Sequence, residues 1–245
     1  CHFESKNLNK IGKTVTWKNK MESGVAVLRM QSPPVNSLSL DFLTELSCRG
    51  LIITSSLSKV FSAGLDIMEM YGKSPERCGE FWKAVQEMWL KLYGSNMATI
   101  AAINGSSPAG GCLMSIGCDY RIMADNPRFS IGLNETQLGI VARFWFKDTL
   151  VNTVGNRAAE LSLELGLLYS APDALKIGLV DQLVPEDQVL STAQDTMSKW
   201  LAVPDTPISK RTYKGPFTAI VLPTIKKGGC DLLTDIVETS HWFPH

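Results

Sequence analysis

The chain has 245 residues, 44% of them hydrophobic and 20% charged, with 24 basic and 24 acidic side chains. That length and apolar content suffice for one sizeable buried core, and the even charge argues against a surface built for nucleic acid or an anionic membrane. No apolar run reaches the roughly 18 residues needed to span a bilayer.

Residues 1–23 read as an N-terminal leader. The first 20 carry five lysines, one acid and no arginine, a pattern that fits the end of a targeting segment or a solvated arm. A core domain is expected over 24–203. Val25–Met30 reads as a strand, Leu51–Thr54 as a second and Val60–Ser62 as a third. Leu38–Cys48, between the first two, has room for about two helical turns. Pro75–Tyr93 reads as a helix: proline suits its first turn, and Phe81, Val85, Met88, Trp89 and Leu92 share one face, as core. Thr99–Ile103 and Tyr120–Ala124 are further strands, and Cys112–Cys118 is apolar nearly all round, as a buried helix is. Helical patterns follow at Trp145–Val154, Arg157–Leu165, Ala171–Ile177 and Asp187–Leu201. Strand, turn and helix recur in this order, which predicts an α/β fold. Asp125-Asn126-Pro127 reads as a turn, and Asp119 as a structural acid packed or paired with Arg121. Beyond Pro204, prolines at 207, 216, 223 and 244 and glycines at 215, 228 and 229 interrupt any long helix, so 204–245 reads as a divergent C-terminal tail.

The six cysteines, at 1, 48, 78, 112, 118 and 230, include no C-x-x-C pair. Their spacing matches neither a zinc site nor a disulfide framework, and a reducing compartment suits them. Cys112 and Cys118 read as buried thiols. The three histidines lie at 2, 241 and 245. A His-activated nucleophile or a His-based metal site in the body of the fold is therefore not expected.

Two segments point to chemistry. Phe61-Ser62-Ala63-Gly64-Leu65-Asp66 and Pro108-Ala109-Gly110-Gly111-Cys112-Leu113 each place glycine between a strand-like and a helix-like run. Such turns are either plain tight connections or a means of aiming backbone N–H groups at an oxygen that gains charge. One carboxylate, Glu135, follows. Read locally, Asn134 caps a helix, Gln137 completes a capping box and Glu135 faces the helix dipole. Read chemically, Glu135 is a general base whose direction the cap would fix.

Together with Pro33-Pro34-Val35-Asn36-Ser37-Leu38, Asn104–Cys112, Cys118-Asp119-Tyr120-Arg121, Ala124–Pro127 and Gly132–Ile140, these motifs resemble the crotonase (enoyl-CoA hydratase/isomerase) superfamily, most closely its Δ3,Δ2-enoyl-CoA isomerase branch, from about Gly24 to Asp205. The resemblance implies a spiral of repeated ββα units with a helical C-terminal region, which is divergent here. It implies an acyl-CoA substrate whose thioester oxygen sits between the N–H groups of Leu65 and Gly110, with Glu135 as the single base. Ala63, Gly64, Asp66, Ile67, Leu113, Phe144 and Trp145 would bound the substrate. Asp66 on its own reads as structural, and Phe144 and Trp145 serve equally well to pack a helix start. Hydratases of the family carry a second glutamate where Leu113 stands, and leucine cannot hold a water. The expected reaction is therefore migration of the 3-enoyl double bond to 2-trans in β-oxidation of unsaturated fatty acids. It would need no metal and no cofactor beyond the CoA of the substrate, in a homotrimer of the mitochondrial matrix.

Three departures from the family stand out. The segment Leu43–Gly50 is about a dozen residues short. Arg143 replaces a usual proline, where its charge is placed to intrude on the acyl pocket or to lower the basicity of Glu135. Residues 206–245 do not resemble the family's terminal helices. The rival readings are a catalytically impaired acyl-CoA-binding homologue and, less favoured because of Leu113, a hydratase.

Overall fold

The computed structural model describes the backbone of residues 15–20 and, with side chains, residues 24–31, 49–203 and 214. In chain order the elements are β1 (Val15–Lys20), β2 (Val25–Met30), β3 (Gly50–Ser55), α1 (Pro75–Tyr93), β4 (Ala98–Ile103), β5 (Ser107–Pro108), α2 (Gly110–Gly117), β6 (Tyr120–Ala124), β7 (Ser130–Gly132), α3 (Phe144–Val154), α4 (Asn156–Leu165), β8 (Tyr169–Ser170), α5 (Ala171–Lys176), β9 (Gln182–Val184) and α6 (Val189–Leu201).

A six-stranded sheet runs β1-β2-β3-β4-β6-β9, parallel from β2 onward, with β1 antiparallel at the edge. Every residue of β3 and β4 is buried. A parallel sheet covered on both faces demands that, and it explains why these strands read as continuous apolar runs instead of alternating ones. Helix α6 lies against β3, β4 and β6. Gly50 makes room for it, since a Cβ there would fall 2.5 Å from the Met197 sulfur. A second, three-stranded sheet runs β5-β7-β8. Large-sheet strand, small-sheet strand and helix follow one another twice, as β4–β5–α2 and β6–β7–α3, which is the expected α/β repeat.

Two expectations are corrected. Val60–Ser62 is not a strand. It makes a single parallel bridge from Val60 to Ser106, with Phe61 N donating to Ser106 O at 2.9 Å. The stretch is too short to do more before Gly64 turns the chain. The fold also starts earlier than residue 24: β1, inside the expected leader, pairs with β2. Its sequence V-T-W-K-N-K is lysine-rich, as edge strands often are, and for that reason it reads as solvated. The shortened segment before Arg49 and the tail beyond 203, Lys214 apart, lie outside the described residues.

Helix α1 matches its expected bounds. Ser74 Oγ accepts from Arg77 N at 3.3 Å, Pro75 opens the helix and Gly94 closes it. Its apolar face is buried, with Trp82 and Tyr93 added to the expected set. The aromatics form a core cluster: Trp89 lies 5.0 Å from Tyr93 and 5.1 Å from Trp145, and Trp145 lies 4.4 Å from Phe146. Asp119 is structural but does not pair with Arg121. Its Oδ2 accepts from both Thr99 N and Thr99 Oγ1 at 2.8 Å, whereas Arg121 pairs with Asp181 at 2.7 Å. The Asp125–Pro127 turn is present, closed by Arg128 N donating to Asn126 Oδ1 at 2.9 Å.

The small sheet depends on one close approach. A Cβ on Gly132 would lie 2.1 Å from Leu167 O, a backbone atom that cannot rotate away. Gly132→Ala should therefore destabilise the protein by about 1–3 kcal/mol, seen as a lower midpoint in urea unfolding.

Candidate active site

The two glycine turns meet. In the first, Phe61 and Ser62 are fully buried, Gly64 adopts φ +99°, and Gly64 N donates to Ser62 Oγ at 3.2 Å. In the second, Ala109 takes φ 48° and ψ −121° before α2 begins at Gly110. Ala109 is the one non-glycine residue with positive φ among the described residues. Such a conformation costs about 1–3 kcal/mol and persists only where the surroundings enforce it. Here Ala109 N donates to Gly132 O at 2.8 Å and Ala109 O accepts from Leu113 N at 3.0 Å. The turns touch backbone to backbone: a Cβ on Gly64 would lie 2.9 Å from Gly110 N, and one on Gly110 would lie 3.0 Å from Leu65 N. The N–H groups of Leu65 and Gly110 are thus neighbours. No described residue accepts a hydrogen bond from either. Gly110 also heads α2, where the unpaired N–H groups carry partial positive charge.

Glu135 opens a 3-10 turn, Glu135–Leu138, which Gly139 closes at φ 71°. The expected capping box does not form. Asn134 makes no side-chain cap, and Gln137 Nε2 instead donates to Gly166 O at 2.8 Å. Thr136 Oγ1 bonds to Leu163 O. Two neighbours thus anchor the turn to α4 and its end, and they orient Glu135 in place of the cap. Sequence reasoning missed both anchors, since each bonds to a carbonyl more than 25 residues away.

Glu135 Oε2 is buried and has no hydrogen-bond partner among the described residues. Burial raises its pKa to about 7, offset only in part by a hydrogen bond from its own backbone. The carboxylate is close enough to α2 to act on Cys112, whose thiol is pushed up first by burial and then by the Glu135 charge. Arg143 does not counter this. Its guanidinium sits 5.7 Å from the centre of the Trp82 ring, a cation–π placement.

The remaining expected residues divide. Ala63, Gly64 and Leu65 form the first turn itself. Asp66 is engaged as a cap, its Oδ1 accepting from Met68 N at 3.0 Å. Ile67 is 54% exposed and Phe144 42% exposed, whereas Trp145, at 1%, belongs to the aromatic core. Leu113 is wholly buried on α2, so no second carboxylate stands on that helix. Cys112 and Cys118 are buried free thiols, as expected.

This arrangement, two neighbouring N–H groups beside a helix start and one desolvated carboxylate, accompanies a sequence match over most of the chain. The enoyl-CoA hydratase/isomerase family profile fits residues 20–217, and the chain belongs to that family. The match extends past Asp205, where the sequence resemblance was expected to stop. Among relatives, the chain is 57% identical over 204 residues to enoyl-CoA delta isomerase 1, mitochondrial, of Rattus norvegicus, covering 79% of this chain and 71% of that one. It is 59% identical over 194 residues to the Homo sapiens protein of the same name, covering 75% of this chain and 64% of that one. The crystal structure of human mitochondrial delta3-delta2-enoyl-CoA isomerase superposes with a TM-score of 0.88 at 49% identity, over 93% of both chains.

The raised pKa has a consequence for stability. A carboxyl that is harder to ionise when folded contributes stability that is full below about 4.5 and is given up as pH rises through about 7. Glu135→Gln, fixed in the neutral form, should therefore be more stable than the parent at pH 8 and equal to it at pH 4, measured by thermal unfolding.

Proposed function

We propose that this protein is a Δ3,Δ2-enoyl-CoA isomerase, with Leu65 and Gly110 as its oxyanion donors and Glu135 as its only base. The observation that carries the reading is an adjacent pair of N–H groups with no acceptor among the described residues, together with one buried carboxylate whose Oε2 has no partner there. The thioester oxygen of a 3-enoyl-CoA accepts hydrogen bonds from Leu65 N–H and Gly110 N–H. Glu135 removes a proton from C2, and the electron pair moves into the thioester carbonyl to give a dienolate. The two donors already face the oxygen where this charge collects, so no reorganisation is needed when it forms. The protonated Glu135 then returns the proton to C4. The electron pair flows back, the double bond rests between C2 and C3, and the carboxylate is restored. Nothing is oxidised or reduced, and each step uses only groups of this chain and its substrate.

One carboxyl near neutral pKa suits both halves of this cycle, since it must accept and then donate the same proton. Hydration would require a second group to hold and activate water, and Leu113 offers none. Exposed Ile67, Met68, Leu138, Val141 and Phe144, which follow the first turn and Glu135, give apolar surface to the acyl chain. Asp66 and Trp145 are left out of substrate contact, one by its cap and the other by its packing. The relatives named mitochondrial support a mitochondrial location, and the family resemblance supports a homotrimer, which light scattering would read. The reading requires no metal or redox cofactor.

Supplied with a 3-cis- or 3-trans-enoyl-CoA, the protein should generate the conjugated 2-trans thioester, followed by its absorbance. Binding of the CoA ester without turnover would sink the isomerase reading, and net addition of water to a 2-enoyl-CoA would favour a hydratase. Glu135→Gln should lower kcat by about 10²–10⁴-fold. In the parent, kcat/KM should rise tenfold per pH unit on the acid side and level off above about 7, because only the carboxylate can act. Gly110→Ala inserts a methyl between the two donors, and a loss of about 10²–10³-fold in kcat is expected.

A further inference from the structure

Helix α2 has a second end. Its last residue, Gly117, and the following Cys118 present carbonyls that no helical N–H can reach, and Lys214 meets both. Lys214 Nζ donates to Gly117 O at 3.3 Å and to Cys118 O at 3.4 Å. It also pairs with Asp119 Oδ1 at 2.9 Å, with side-chain exposures of 19% and 13%. The same ammonium lies 4.6 Å from the centre of the Tyr93 ring. Arg121 Nη1 adds a bond to Cys118 O at 3.2 Å. Asp119 is itself fixed to β4 through Thr99, so Lys214 ties the helix end to the large sheet and to α1. A cation at this end also complements the helix dipole.

We propose that Lys214 is a positioning residue for the oxyanion donors, acting through α2. The helix is eight residues long and buried throughout, about 12 Å from end to end. It is closely packed along its length, and a tilt at Gly117 is carried to Gly110. At Gly110 the approach to Leu65 is close enough that an added Cβ would lie 3.0 Å from Leu65 N. Lys214 touches no reacting atom; it holds the rod whose other end does. Lys214 would thereby bear on catalysis without reaching the substrate. The kinetic part of this inference rests on the isomerase reading; the structural part does not.

The test compares the full chain with Lys214→Met and Lys214→Arg. Lys214→Met should lower kcat per folded molecule by about 10- to 100-fold, the effect of a misplacement near 1 Å, with the folded fraction read by near-ultraviolet circular dichroism. KM should stay within about twofold and the acid-limb pKa near 7 should not move, because Glu135 is left in place. Amide exchange along α2 should quicken. Lys214→Arg should restore most of the rate and the protection. Unchanged kcat in Lys214→Met, or a loss explained wholly by unfolded protein, would overturn the proposal, as would unaltered exchange in α2. If the parent itself fails to isomerise 3-enoyl-CoA, the functional reading falls alone, and α2 exchange still decides whether Lys214 holds the helix.

Discussion

The site hangs on a contact between two pieces of main chain. Gly64 and Gly110 approach so closely that neither position has space for a methyl group without pressing on the other's neighbouring N–H. Side chains can adjust to a neighbour more readily than main chain can, so this contact fixes the relative position of Leu65 N–H and Gly110 N–H. Much of the fold serves this contact. The bridge between Val60 and Ser106 brings the two segments side by side. Gly111 extends the approach, since a Cβ there would lie 2.5 Å from Ser62 O. Ala109 is held in its strained corner by Gly132 of the small sheet.

The carboxylate is placed by different means. Glu135 sits on one short turn, and its direction comes from Thr136 and Gln137, both hydrogen-bonded to the α4 region. The two N–H groups thus belong to one close-packed unit and the carboxylate to another, which meet where Cys112 feels the charge of Glu135. Burial of the carboxylate with only its own backbone to offset it is unfavourable for the folded state. That only partly compensated burial is what brings its pKa close to neutrality.

Long periodic elements were legible in the sequence. Pro75–Tyr93 and Tyr120–Ala124 match their expected bounds, because a proline start, an apolar stripe and a run of β-formers are local signals. The glycine turns were legible as turns because each lies between runs of opposite period, and the structure brings the two together. What was not legible is what distance in sequence hides. The strands of the small sheet have only two or three residues, too few for any period to show. Asn134 and Gln137 carry the spacing of a capping box, yet Gln137 finds a better acceptor on the far side of α4. Arg121 sits two residues from Asp119 but pairs with Asp181, which the strand order brings alongside. Ala109 gives no hint of its backbone, since alanine is unremarked wherever it stands. Trp145, adjacent to Phe144 in sequence, faces the opposite way, into the aromatic core.

The near-neutral carboxyl also bears on how level the reaction path can be. In the proposed isomerisation Glu135 begins the cycle as an anion and is an acid midway. Each pKa unit separating those two states from the ambient pH would tilt the path by about 1.4 kcal/mol. An ordinary solvated glutamate would hold its charge firmly and make the first proton transfer steeply uphill. A carboxyl shifted far above neutrality would be idle in most molecules. With the pKa at about 7, neither form is a deep well near neutral pH, and the carboxyl is available both as the base and as the acid that the proposed reaction calls for.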